Sequence, residues 1–241
     1  MIDSHAMLGE ETYLRLGPAE LLRRMDAAGV DVAITRPMGA GLVVDHRAGN
    51  DLVLKAGPRI RGLATVNPWW GPDALDELAR SRDLGAVGLF LDPARQGFFP
   101  DEPVARPVIE RAVEYGWPVM MRTGTYVYAD ILALAEVARS FPEATFIAGF
   151  GGFADMWFEM PMAVRNASNL LIETSMIWGA AIKQVVETHG AERVLFGGAE
   201  PRNRYAVVLR TLDRLELDPT VRRAIVHDNA ARVFGIGRAA P

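Results

Sequence analysis

The stretch "MIDSHAML" places an acid, an imidazole and a thioether at alternate positions, Asp3, His5 and Met7. Residues two apart on an extended strand share a face, so all three are expected on one side, facing a common interior. A D-x-H-x-H stretch would offer two imidazoles to a metal. Here Met7 holds the second place, and a thioether does not replace a neutral imidazole for a zinc-like ion. His5 alone retains chemistry that needs no metal, because imidazole titrates near neutral pH and serves as a general acid or base. In a bland setting the same residue is a hydrogen-bonded core histidine.

Arg122 closes "PVMMR", Arg36 closes "AITR", and three acids stand in "FLDP", "LLIET" and "GGAEP": Asp92, Glu173 and Glu200. A guanidinium only donates hydrogen bonds and stays charged. Arg122 therefore either pairs with an acid such as Glu173 or Glu200 in a polar core layer, or grips a substrate carboxylate or carbonyl through a forked contact. Catalytic roles are expected of His5, Arg122 and Glu200. Asp92 and Glu173 are equally readable as capping or core-pairing carboxylates. His46, His189 and His227 lie in or beside helical patterns and are expected to be structural or exposed.

Short apolar runs alternate with helical patterns along the chain, the signature of βα units and a parallel sheet. Strands are expected at Met1–Met7, Val30–Arg36, Ile60–Val66, Ala86–Leu91, Pro118–Arg122, Thr145–Gly149, Leu170–Thr174 and Arg193–Phe196. Between them run segments such as "AELLRRMDAAG", opened by Pro18 and closed by Gly29, the usual asymmetry of helix ends. Eight such units in 241 residues predict an α/β fold, a (β/α)8 TIM barrel forming one domain over residues 1–241, with a doubly wound open sheet as the alternative. In a barrel the chemistry gathers at the C-terminal strand ends, where the candidates above stand.

Seven segments, "IDSHAMLG", "GLFLDP", "PVMMRTGT", "FIAGFGG", "NLLIETS", "RVLFGGAEP" and "NAARVFGI", occur in the order and spacing of the amidohydrolase-related (amidohydrolase 2) barrels. The sequence resembles that family over essentially its whole length. The resemblance implies a divalent metal held by two His on the first strand, one His after each of the fifth and sixth strands, and an Asp after the eighth. The matching positions here are His5, Met7, Arg122, Gly149 and Ala199. One donor of five remains, so the expectation is a degenerate site with no metal and no other cofactor. Glu200 follows the position of the lost Asp, though neighbouring strand residues point oppositely. A relocated metal site, built on His5 with Asp92, Glu173 or Glu200, is the alternative.

The chain has no cysteine, which excludes disulfides, thiolate metal sites and cysteine nucleophiles. Its net charge of −4, with basic residues scattered, argues against nucleic acid. No signal-peptide pattern or membrane-length apolar run is evident, so a cytoplasmic protein is expected. Aromatic and thioether residues crowd the expected strand ends, including Trp69, Trp157, Trp178, Phe150 and Met176. With Met7, Arg36, Asp92 and Glu173 they are expected to line a pocket for an apolar small molecule; an oligomer interface is the competing reading.

The expected function is a metal-independent cyclase, lyase, dehydratase or hydrolase using acid–base chemistry on an apolar carbonyl- or carboxylate-bearing compound, in specialised metabolism. A catalytically inactive ligand-binding or scaffolding protein is the rival.

Overall fold

In the computed structural model, which describes residues 1–125, 127–153 and 157–237, the expected alternation closes into a barrel. The strands are β1 (Ile2–Glu11), β2 (Val32–Pro37), β3 in two pieces (Ile60–Gly62 and Ala64–Thr65), β4 (Leu89–Leu91), β5 (Val119–Arg122), β6 (Phe146–Gly149), β7 (Leu170–Glu173) and β8 (Val194–Leu195). Neighbours pair in parallel throughout. Closure comes from Ser4 N–H on Phe196 O at 2.8 Å and Ala199 N–H on His5 O at 2.7 Å. A short strand, Leu14–Leu16, folds back antiparallel on the end of β1.

One main helix follows each strand: α1 (Pro18–Ala28), α2 (His46–Leu54), α3 (Pro72–Asp83), α4 (Arg106–Glu114), α5 (Ile131–Ser140), α6 (Met160–Asn166), α7 (Gly179–His189) and α8 (Tyr205–Asp213). Their starts follow local chemistry. Pro18 and Pro72 occupy first turns, where the missing N–H costs nothing. Asp130 caps α5 by accepting from the Leu132 and Ala133 N–H groups.

Strand alternation sorts the core into two sets. One inward residue per strand, Ile2, Ile34, Leu63, Phe90, Met120, Ile147, Leu171 and Leu195, forms an apolar layer with Ala230 and Phe234 from the C-terminal helical segment. The outward residues, such as Val119 and Met121, join the helices in the larger cluster. Two residues further along β2 to β7, the same inward face turns polar or small: Arg36, Thr65, Asp92, Arg122, Gly149 and Glu173. This second layer is the floor of the site.

β1 departs from simple alternation. Its register against β2 shifts between Asp3 and Ala6, an irregularity that re-aims side chains. The Asp3 carboxylate therefore lies against α8 and the β8 end, accepting from Tyr205 Oη at 2.8 Å and from the N–H groups of Gly198 at 2.7 Å and His5 at 2.9 Å. The His5 ring faces the polar layer instead, and Met7 is fully buried in the larger cluster between sheet and helices. The expectation that Asp3, His5 and Met7 share one interior side is corrected by this bulge, and Met7 is a core residue.

Burial pushes the Asp3 carboxyl up to about 7; its three hydrogen bonds oppose the rise and the Glu173 charge adds to it. An unfolded Asp titrates near 4, so the folded state holds an extra proton between those values, and this group's contribution to stability falls as pH rises through that window. The full effect is on the order of 4 kcal/mol. Asp3→Asn keeps an acceptor for the two N–H groups and cannot titrate. Urea unfolding between pH 5 and 8 should show a distinctly flatter stability profile for this variant; identical profiles would refute the assignment.

Candidate active site

The polar layer is organised around His5. Its Nδ1 lies 2.9 Å from Glu173 Oε1, and Arg36 Nε lies 3.1 Å from its Nε2. His5 and Glu173 are completely buried and Arg36 very nearly so. Because the guanidinium can only donate, Nε2 must accept; the ring proton then sits on Nδ1 and is given to Glu173. The tautomer is fixed by its two partners.

Glu173 is held by three further donors. Ser175 gives its N–H and its hydroxyl, both at 2.8 Å, and the Phe150 N–H also donates. Phe150 reaches it from the left-handed region, at φ 63°, a conformation that costs a non-glycine residue energy and tends to persist at functional sites. At the end of the neighbouring strand β8, a Cβ on Gly197 would overlap Glu173 Oε2. Only glycine leaves room for this carboxylate.

The electrostatics follow from burial and contact. Burial lowers the His5 pKa, and the Glu173 charge opposes this without reversing it. For Glu173 burial pulls upward, but the His5 contact and the N–H donors outweigh it and its pKa is lowered. Burial lowers Arg36 to about 9; Asp92 resists, while Arg95, Arg122 and Arg202 push the same way. At neutral pH the unit is a neutral imidazole between a carboxylate and a guanidinium.

Beside it, Arg122 Nη1 stands 3.4 Å from Asp92 Oδ2 and its Nη2 donates to Thr125 Oγ1 at 3.1 Å. Arg122 Nε is buried and makes no hydrogen bond to a described residue. Asp92 also caps a short helix through the Arg95 N–H and lies 3.8 Å from Arg95 Nε. Arg95 and Arg202 share Glu11, at 2.5 and 2.6 Å. Four guanidinium groups thus meet two carboxylates, Asp92 and Glu11. Aromatic faces support them: Arg36 lies 4.4 Å from the Phe90 centroid, Arg122 lies 5.9 Å from that of Phe150, and the His5 ring is 4.7 Å from Phe150.

The structure brings together His5, Arg36, Asp92, Arg122, Phe150 and Glu173. It separates Glu200, whose carboxylate pairs with Arg24 at 2.5 Å and Arg204 at 3.6 Å and accepts from the Tyr205 N–H. Glu200 belongs to the seam between α1 and α8, and the expectation that it stands with His5 and Arg122 is corrected. Met176 and Trp178 line a 330 Å³ cavity with Phe153 and Arg202. Trp69 donates its ring N–H to Gly97 O at 3.1 Å, and Trp157 sits edge-on to Phe158 at the surface. Sequence reasoning missed Arg95, Arg202 and Glu11. The signal available was the density of arginine just beyond strand ends, in "DPARQ" and "AEPRNR".

The amidohydrolase family profile matches residues 6–236. The chain belongs to the amidohydrolase family. No curated protein matches it. Among solved structures this amidohydrolase is similar to a 2,6-dihydroxybenzoate decarboxylase complexed with 2,6-dihydroxybenzoate, at 17% identity and TM-score 0.78 over 98% of each chain. It also resembles a 5-carboxyvanillate decarboxylase from Novosphingobium aromaticivorans complexed with manganese and 4-hydroxy-3-methoxy-5-nitrobenzoic acid, at 17% identity and TM-score 0.75, covering 98% of this chain and 96% of that one. A probable 2-pyrone-4,6-dicarboxylic acid hydrolase from Acinetobacter baumannii with citric acid bound is similar at 14% identity and TM-score 0.74, covering 98% and 99%. Likeness at these identities establishes the barrel fold.

The metal implied by the family does not fit the residues present. The five matching positions supply one imidazole, a thioether, a guanidinium, Gly149 and Ala199, and the free nitrogen of that imidazole already accepts from Arg36. Among the described residues no three His, Asp or Glu converge as a ligand set. The alternative of relocated ligands therefore has no cluster to support it.

Glu173→Gln should destabilise the fold by about 3 to 5 kcal/mol, because an amide NH2 then faces buried N–H donors and the Arg36 charge loses its counter-charge through the ring. Chemical denaturation measures this; a loss below about 1 kcal/mol would show that Glu173 does not organise the layer.

Proposed function

We propose that this amidohydrolase is a metal-independent enzyme acting on a small molecule that joins a carboxylate to an apolar, planar body. The observation that carries the reading is the charge of the polar layer: Arg36, Arg95, Arg122 and Arg202 converge with Asp92 and Glu11 as counter-charges. Arg122 holds Asp92 only at 3.4 to 3.5 Å and its Nε makes no hydrogen bond to a described residue, so a ligand carboxylate can engage the guanidinium at closer range. Phe150 covers the same guanidinium, and the cavity formed by Phe153, Met176 and Trp178 opens beside Arg202. An aromatic acid matches both surfaces, in keeping with the acids named for the similar decarboxylases.

Asp92 is the buried carboxylate facing these arginines and is the group assigned to move the reaction's proton. Its electrostatic setting also opposes anion binding, which gives a handle on its position.

A ligand-binding role without turnover is the second reading. It is favoured by the internal pairing of His5 with Glu173 and of Glu200 with Arg24.

Calorimetry with benzoate at low salt is the direct test. Wild-type protein should bind benzoate and not neutral benzamide, and the affinity should fall with added salt. Arg122→Met should weaken benzoate by about tenfold or more, the worth of one charge-assisted contact, whereas Asp92→Asn should tighten it several-fold by removing a competing negative charge. Product analysis over a panel of aromatic acids separates turnover from holding. Stoichiometric zinc or manganese in the purified protein, or equal binding of benzamide, would overturn the proposal.

A further inference from the structure

A metal-bound histidine usually gives its second ring N–H to a carboxylate, which fixes the tautomer and aims the other nitrogen at the ion. His5 keeps that arrangement: Nδ1 gives its proton to Glu173, and Nε2 points at a cation. The cation is Arg36. We infer that the Arg36 guanidinium has taken the metal's position on His5, and that His5 is a positioning residue that fixes this guanidinium and does not carry the reaction's proton.

Three observations carry the inference. First, both ring nitrogens are engaged, and the lone pair of Nε2 is used by a group that cannot accept in return. A second ring proton would take the lone pair from the Arg36 N–H and set an imidazolium against a buried guanidinium, a cost that the Glu173 carboxylate opposes without cancelling. Second, Arg36 is clamped on several sides: Nε by His5, Nη1 by Pro37 O at 3.1 Å, and its plane by Phe90 at 4.4 Å and Phe150 at 5.9 Å. Its Nη2 bonds to no described residue, so this edge is the donor left for an incoming anion. Third, Arg36 stands on the inward face of β2, one strand from His5 and in the same layer as Asp92 and Arg122. The inference deepens the reading above, and its anion arm rests on that reading.

The test uses the full chain, labelled with ¹⁵N. Long-range ¹H–¹⁵N spectra of wild-type protein at neutral pH should show His5 with Nδ1 protonated and Nε2 bare, and a coupling across the Arg36 Nε–H···Nε2 hydrogen bond. Added benzoate should shift the Arg36 guanidinium signals while leaving the His5 tautomer unchanged. Arg36→Lys keeps a charge but loses the fork, so it should abolish the coupling and weaken benzoate by about tenfold or more. Because the first measurement needs no variant, it decides the His5 assignment even if Arg36→Lys fails to fold. A protonated Nε2, or an imidazolium, overturns the inference. So does benzoate binding that leaves the Arg36 signals in place, since a purely structural arginine would behave that way. If wild-type protein binds no benzoate but shows the bare Nε2 and the coupling, the aromatic-acid substrate is what falls and the positioning role of His5 stands.

Discussion

The hydrogen bond between Arg36 and His5 is the constraint around which the rest of the site is arranged. A guanidinium buried inside a barrel needs an acceptor, and imidazole supplies one only when its other nitrogen gives its proton away. That requirement calls for Glu173. Glu173 in turn needs donors of its own, which are met by Ser175 and by Phe150 turned into a left-handed conformation, and it needs the space that Gly197 leaves. A chain of individually unfavourable features, a buried cation, a buried carboxylate and a strained backbone, becomes tolerable because each answers the demand of the next.

Charge accumulates above this unit because of how the barrel lays out its residues. Eight inward side chains fill one apolar layer, and the positions two further along present their side chains to a common centre. Arg36, Asp92 and Arg122 meet there because each is the next inward position beyond the apolar layer on β2, β4 and β5, while Arg95 and Arg202 enter from the segments that follow β4 and β8. Arginine suits such crowding better than lysine: its charge is diffuse and weakly hydrated, and it stacks on aromatic rings. Phe90 and Phe150 provide those faces. The site's positive field is therefore a property of several strands together, and it persists when any one contact is rearranged.

The barrel was legible in the sequence because hydrophobic alternation and helix punctuation repeat eight times, and each expected strand overlaps an observed one. His5, Arg36, Asp92, Arg122, Phe150 and Glu173 were legible for the same reason, since strand ends in such a fold point at one place. Errors arose where a single residue's direction departs from the regular pattern. Met7 and Asp3 were assigned the wrong company because the irregularity in β1 leaves no trace in residue types. Glu200 was expected at the centre because its position along the chain is right; one step of the backbone turns it toward Arg24 on α1. Arg36, and not Arg122, reaches His5 because β2 neighbours β1 while β5 does not.

A divalent ion and a guanidinium support different chemistry. A metal of this kind acidifies bound water and polarises a coordinated oxygen. A guanidinium offers a single delocalised charge and planar donors at fixed angles, suited to an oxyanion that already exists or forms during reaction. Four arginines facing two carboxylates give the layer an excess of positive charge. Asp92 is buried and lies 3.4 Å from Arg122 and 3.8 Å from Arg95, at the long end of ion pairing. His5 and Glu173 form the frame that aims the Arg36 guanidinium at the centre of this layer.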